Sequence, residues 1–166
     1  MTSDHLTFRL ADEESMRSLG AALARQLGPG MRVYLSGPLG SGKTALVRAT
    51  LAALGHTGRV KSPTYTLVEI YVISGYIAYH FDFYRFNDPA EWREAGLDEH
   101  FNESSLCLVE WPEKASGVLP VPDLMVRIEF SASEDPQART VVIEGLSERG
   151  TSCLDALRLN FPTAPA

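Results

Sequence analysis

The octapeptide Gly37-Pro38-Leu39-Gly40-Ser41-Gly42-Lys43-Thr44 has the glycine spacing and the terminal Lys-Thr pair of a phosphate-binding loop. Glycines at 37, 40 and 42 let the backbone curl until successive N–H groups converge on phosphate oxygens. A helix starting at the end of the loop adds its positive terminus. The groups expected around the phosphates are those of Gly37, Leu39, Gly40, Ser41, Gly42, Lys43, Thr44 and Ala45. Lys43 would reach the β- and γ-phosphates, and the Thr44 hydroxyl is placed for Mg²⁺. The alternative is a glycine-rich turn capping an ordinary helix.

Hydrolysis of a bound nucleotide also needs a carboxylate near the metal and a group that orients water. Two acids end apolar runs: Glu110 after Leu106-Cys107-Leu108-Val109, and Asp82 after Ile77-Ala78-Tyr79-His80-Phe81. Each reads either as a site carboxylate or as an exposed strand-end acid, and the two could share the metal region, one of them through water. His80 and Asp82, two apart, face the same side of a strand, so His80 could orient Asp82. A hydrogen-bonded core or rim histidine is preferred over a metal ligand, because His5, His56 and His100 show no ligand spacing. Thr64 lies where many nucleotide switches place a threonine that senses Mg²⁺ or the γ-phosphate, although Ser62-Pro63-Thr64 reads equally as the start of a strand. Trp111 could cover the nucleotide or merely pack, and Arg85 could meet phosphate, an acidic partner or a surface carboxylate. No Asn-Lys-x-Asp guanine reader occurs downstream, which favours ATP over GTP.

The elements that must hold these groups follow from periodicity. Met31 to Ser36 reads as a strand leading into the loop, and Thr44 to Leu54 as the amphipathic helix leaving it. Thr7 to Leu10 is a weak strand. Asp12 to Leu27 predicts a helix with acids in its first turn and an apolar stripe at Met16, Leu19, Leu23 and Leu27. Residues 55–66 form a polar loop. Leu67 to Val72 and Gly75 to Phe81 predict an antiparallel hairpin, and hence a mixed sheet. Asp88-Pro89 opens a helix through about Ala95, with a further helical piece near Leu97 to Phe101. Strands follow at Ser105 to Val109, Leu124 to Phe130 and Arg139 to Glu144, then a last helix near Thr151 to Leu159. The expected architecture is a single three-layer α/β domain over residues 1–161 of P-loop NTPase type, its sheet mixed and partly antiparallel. Residues 162–166 are expected to fray.

Net charge is −6 over 166 residues, with no Lys/Arg run, so any nucleic-acid role is expected to go through a partner. Cys107 and Cys153 have no paired spacing and read as buried free thiols of a reducing compartment. No basic leader precedes an apolar stretch, and no apolar run approaches the roughly 18 residues of a membrane span. A cytoplasmic protein is expected.

Four segments together resemble the TsaE (YjeE) family of bacterial P-loop ATPases. They are residues 37–44, Val60-Lys61-Ser62-Pro63-Thr64-Tyr65-Thr66-Leu67-Val68-Glu69, Tyr79-His80-Phe81-Asp82-Phe83-Tyr84-Arg85, and Leu108-Val109-Glu110-Trp111-Pro112. The match in order and spacing runs from about Leu10 to Phe130. The resemblance implies an ATPase of tRNA threonylcarbamoyladenosine synthesis. It would dock on TsaD and TsaB, which modify adenosine 37 of tRNAs reading ANN codons. It further implies that Thr44 and Glu110 hold Mg²⁺, that Asp82 supports hydrolysis, and that Glu13 and Trp111 lie near the nucleotide. Pro38 departs from the Asp usual in the family and removes an N–H donor, which predicts slower turnover. Two rival readings are a small-molecule kinase and a non-enzymatic, nucleotide-dependent docking module.

Overall fold

Alternation of apolar and polar residues shapes the first strand, Asp4–Leu10 (β1), so that Leu6, Phe8 and Leu10 point inward. This computed structural model describes residues 4–162, so the expected frayed tail lies, past Pro162, outside the described residues. Asp12 caps the helix Glu13–Ala24 (α1), its side chain accepting from the Ser15 amide at 2.9 Å. The strand Arg32–Ser36 (β2) runs into the glycine loop, and Lys43–Ala53 (α2) leaves it. Val68–Ile73 (β3) and Tyr76–Asp82 (β4) form the expected hairpin. A single helical turn, Glu91–Glu94 (α3), precedes Ser105–Glu110 (β5). Leu124–Phe130 (β6), Arg139–Gly145 (β7) and Glu148–Asn160 (α4) complete the chain.

The seven strands make one mixed sheet in the order β1-β7-β6-β2-β5-β4-β3. Parallel pairing joins β2 to both β5 and β6, and β5 to β4, while β3 and β7 run antiparallel to their neighbours. All six residues of β5 are buried, as an unbroken apolar run in a strand covered on both faces requires. The sequence thus leads three parallel strands, β2, β4 and β5, to end at one edge. In parallel α/β sheets that edge is where ligands bind.

Helices α1, α2 and α4 cover one face over a core that includes Phe8, Leu19, Leu46, Ile143 and Leu154. Gly20 in mid-helix costs α1 roughly 1 kcal/mol relative to alanine, and the reason is contact: a Cβ there would stand 2.5 Å from the Ala49 Cβ of α2. The opposite layer is thin. Over β4 and β5 it consists of α3 and two 3₁₀ turns, Leu97–His100 and Pro112–Ala115, around the buried aromatics Phe81, Phe83, Phe86 and Trp92. Further along, Arg127 and Glu129 of β6 and Arg9 of β1 face solvent directly.

Three helices differ from expectation. The first, α1, ends at Ala24 rather than Leu27, because the chain passes there into i→i+3 turns, Gln26 N to Leu23 O and Leu27 N to Ala24 O. The helix after Asp88-Pro89 opens through i→i+3 bonds, Glu91 N to Asp88 O and Trp92 N to Pro89 O, so only residues 91–94 are α-helical. Gly96, at φ 68°, then ends it. The last helix starts at Glu148 rather than Thr151, since Ser147 caps it by accepting from the Gly150 amide while donating to Asp123. Among the described residues, no helix is long and apolar enough to cross a membrane.

Candidate functional site

The loop between β2 and α2 is shaped by positions where a side chain does not fit. Gly37 has φ 148°, and a Cβ there would lie 2.2 Å from the carbonyl oxygen of Ile128 in β6. Gly42 caps α2 without any side-chain hydrogen bond, so the first-turn amides of the helix are left for a ligand. The Ser41 hydroxyl, buried in the same loop, has no hydrogen-bond partner among the described residues. Pro38 lacks an amide, yet its carbonyl accepts from the Ser41 amide and from the Lys43 ammonium, each at 3.1 Å.

Lys43 is folded back onto its own loop. Its Nζ donates to Gly37 O at 2.6 Å and stands 4.1 Å from the centre of the Trp111 ring. Burial pulls its pKa below the ordinary lysine value, against the attraction of Glu110, Glu113 and Asp82. An ammonium so placed gains from an incoming anion. Trp111 takes up the left-handed backbone region at φ 57°, which turns its ring over Lys43 and 5.0 Å from Tyr84.

Asp82 and Glu110, distant in sequence, are direct partners in the parallel register of β4 and β5. Both are buried, so neither is an exposed strand-end acid. Thr44 Oγ1 lies 2.9 and 3.0 Å from the two Glu110 oxygens. Asp82 Oδ2 accepts from the hydroxyls of Ser62 and Thr64, each at 3.1 Å, and Oδ1 accepts from the Tyr84 amide at 2.9 Å. Thr64 is therefore tied to Asp82, and the strand that follows begins only at Val68. His80 does not orient Asp82: its Nε2 lies 2.5 Å from Glu110 Oε2. Arg85 stacks on Tyr65, its guanidinium 4.3 Å from the ring centre.

These groups line a cleft of about 300 Å³ that includes Lys43, Thr44, Thr64, Asp82, Glu110 and Trp111. A second cleft of about 590 Å³ opens on the other side of Gly40–Gly42, between α1, α2 and the start of β7. Glu13, the first residue of α1, lines it, as do Arg48, Gln137 and Arg139, which the sequence reading missed. Arg139 donates from Nε to Ser41 O at 2.9 Å and stacks on Phe130 at 4.6 Å. Its signal is topological, since it faces Leu10 and Phe130 across two antiparallel ladders.

Among the described residues no group of three or more His, Cys, Asp and Glu side chains could hold a metal by itself. Two hard oxygen donors, Thr44 and Glu110, stand beside the phosphate cradle. That donor set suits Mg²⁺, which takes one or two protein oxygens and completes its octahedron with phosphates and water.

The strand–glycine loop–helix unit, with paired carboxylates at the ends of the neighbouring strands, defines a P-loop α/β domain of NTPase type. Residues 10–141 match the family model "Threonylcarbamoyl adenosine biosynthesis protein TsaE". The chain therefore belongs to the TsaE family. It is 47% identical over 132 residues to the tRNA threonylcarbamoyladenosine biosynthesis protein TsaE of Haemophilus influenzae, covering 76% of this chain and 84% of that one. The protein of the same description from Bacillus subtilis is 33% identical over 130 residues, or 78% and 81% of the two chains. A crystal structure of Bacillus subtilis YdiB aligns with a TM-score of 0.82 at 25% identity, covering 98% of this chain and 99% of that one.

Proposed function

We propose that this chain, as one domain, binds ATP with Mg²⁺ and hydrolyses it in support of threonylcarbamoyl transfer to adenosine 37 of ANN-decoding tRNAs, working in the cytoplasm with TsaD and TsaB. The observation that carries the reading is the register pair Asp82–Glu110 beside Lys43 and Thr44 at the mouth of the glycine loop. Phosphates would displace Lys43 from Gly37 O and Pro38 O and take its ammonium together with the amides of residues 39–45. The second cleft, with Glu13, Arg48 and Arg139, is the space left for ribose and base. Thr44 and Glu110 would hold Mg²⁺, which when bound neutralises charge on the phosphates.

Asp82 would orient a water; its Oδ2 is engaged by Ser62 and Thr64. Oδ1, which among the described residues accepts from the Tyr84 amide alone, keeps a lone pair for a water, while release of the hydroxyls from Oδ2 frees Thr64 to meet the γ-phosphate. Hydrolysis is thereby gated by the 55–66 loop, and turnover by the isolated chain is slow until a partner resets that loop. tRNA would be held mainly by the partners, in keeping with a net charge of −6.

The test is tRNA modification over multiple turnovers with TsaD and TsaB, alongside phosphate release, for wild type, Lys43→Ala and Asp82→Ala. Both variants are expected to lose modification, with Asp82→Ala retaining nucleotide binding. Undiminished modification by Asp82→Ala with Lys43→Ala inactive would instead establish a docking module that needs nucleotide but not its hydrolysis. Phosphate transfer to a metabolite by the chain alone would establish a kinase.

A further inference from the structure

We propose that His80 is a positioning residue of the phosphate site: its imidazole fixes the Glu110 carboxylate so that Thr44 and Glu110 together present a cation site. The inference rests on the nucleotide-binding reading above. It assigns work to a buried ionisable side chain beside the site that the proposed chemistry leaves unused.

His80 is wholly buried in the middle of β4, opposite Leu108 of β5 and Glu69 of β3. Burying an imidazole is unfavourable unless its nitrogens are satisfied. Nε2 is satisfied by Glu110 Oε2 at 2.5 Å, whereas Nδ1 is buried and has no partner among the described residues. A proton on Nδ1 would therefore be a stranded N–H, so the proton belongs on Nε2, and His80 is a donor to the carboxylate. Packing alone would favour an apolar residue such as neighbouring Ala78 or Phe81, with no stranded nitrogen to bury.

The geometry around Glu110 shows what the donor achieves. Thr44 has one hydroxyl proton, set between Oε1 and Oε2 at 2.9 and 3.0 Å, and its lone pairs stay open to a cation. His80 holds Oε2 with a ring that is wholly buried. Without this donor the carboxylate is free to turn towards the Lys43 ammonium, which it already attracts. Such a turn would cost the site its cation ligand. Asp82 does not share this support, because its donors are Ser62, Thr64 and the Tyr84 amide.

Three substitutions separate positioning from packing. Glutamine can carry an amide N–H to the place of Nε2, asparagine carries one only as far as Nδ1, and leucine carries none. Binding of fluorescent ADP is measured for His80→Gln, His80→Asn and His80→Leu, in EDTA and across a Mg²⁺ titration, with thermal melts reporting packing separately. Affinity in EDTA is expected within about threefold of wild type for each. The Mg²⁺ concentration giving half the enhancement should rise at least tenfold in His80→Leu and His80→Asn, the scale for loss of an outer-shell partner of a metal ligand. His80→Gln should recover most of it. A wild-type Mg²⁺ response in folded His80→Leu or His80→Asn overturns the proposal, as does a shift in His80→Gln equal to theirs. Wild-type protein that binds no ADP overturns the nucleotide reading and this inference with it, a result distinct from binding that ignores His80.

Discussion

Removing the two hydroxyls that engage Asp82 should unlatch the 55–66 loop. Ser62 and Thr64 each donate to Oδ2 at 3.1 Å, and Leu67 anchors the loop's end through its amide to Pro63 O at 2.8 Å and its carbonyl to the Asp82 amide at 3.1 Å. A hydrogen bond to a charged group contributes about 1.5–3 kcal/mol, and Ser62 is exposed, so about 1 kcal/mol each is the appropriate scale. Leu67 sits at φ 67°, where a non-glycine residue costs roughly 1 kcal/mol, and that strain favours opening once the latch is gone. Because both donors share one oxygen, either alone retains much of the latch, and the double variant should lose more than the sum of the singles. Native-state hydrogen exchange at the Leu67 and Asp82 amides reads the opening free energy directly. Ser62→Ala or Thr64→Val should speed exchange there by up to about fivefold, and the pair by roughly thirtyfold or more, about 2 kcal/mol at 1.4 kcal/mol per decade. Amides of β2 and β5 should be unaffected. Unchanged exchange at Leu67 in the double variant would refute the latch and the gating built on it.

Gly37→Ala places a Cβ 2.2 Å from Ile128 O, a backbone atom that cannot swing aside, so nucleotide binding should be lost and the melting temperature should fall by several degrees. Nucleotide should draw Lys43 off the Trp111 ring, now 4.1 Å away, and change tryptophan emission, with buried Trp92 giving a constant background. Lys43→Ala should abolish that response in a fluorescence titration. Burial pushes the Cys107 and Cys153 thiols from 9.0 up to about 12. The unfolded chain therefore releases protons that the fold retains, and stability should fall as pH rises through 9 towards 10. The slope approaches about 1.4 kcal/mol per pH unit for each thiol. Denaturant melts of a Cys107→Ala, Cys153→Ala double variant should show that part of the slope removed.

Most strands and helices were legible because their apolar residues repeat with periods of two or 3.6, and the glycine loop because its spacing is chemical rather than conformational. What resisted reading depends on which strands become neighbours. His80 looked like a partner of Asp82 because the two share a strand face, but the parallel ladder to β5 brings Glu110 within reach instead. Arg139 carries no local signal and reaches Ser41 only because β7 lies between β1 and β6. Local hydrogen bonds also escape periodicity: Ser147 starts α4 three residues early through its cap, and i→i+3 bonds over residues 88–92 leave α3 a single turn.

The contact between Gly20 and Ala49 has a reach beyond packing. There α1 lies directly against α2, and the larger cleft is the wedge between the same two helices, with Met16 and Glu13 on one wall and Ala45 and Arg48 on the other. The missing methyl group at residue 20 thus sets the wedge's opening, and what fits between the walls is governed by a residue outside it. On the nucleotide reading proposed above, selectivity for one base over another can drift through helix spacing alone, while every side chain that would touch the base stays the same.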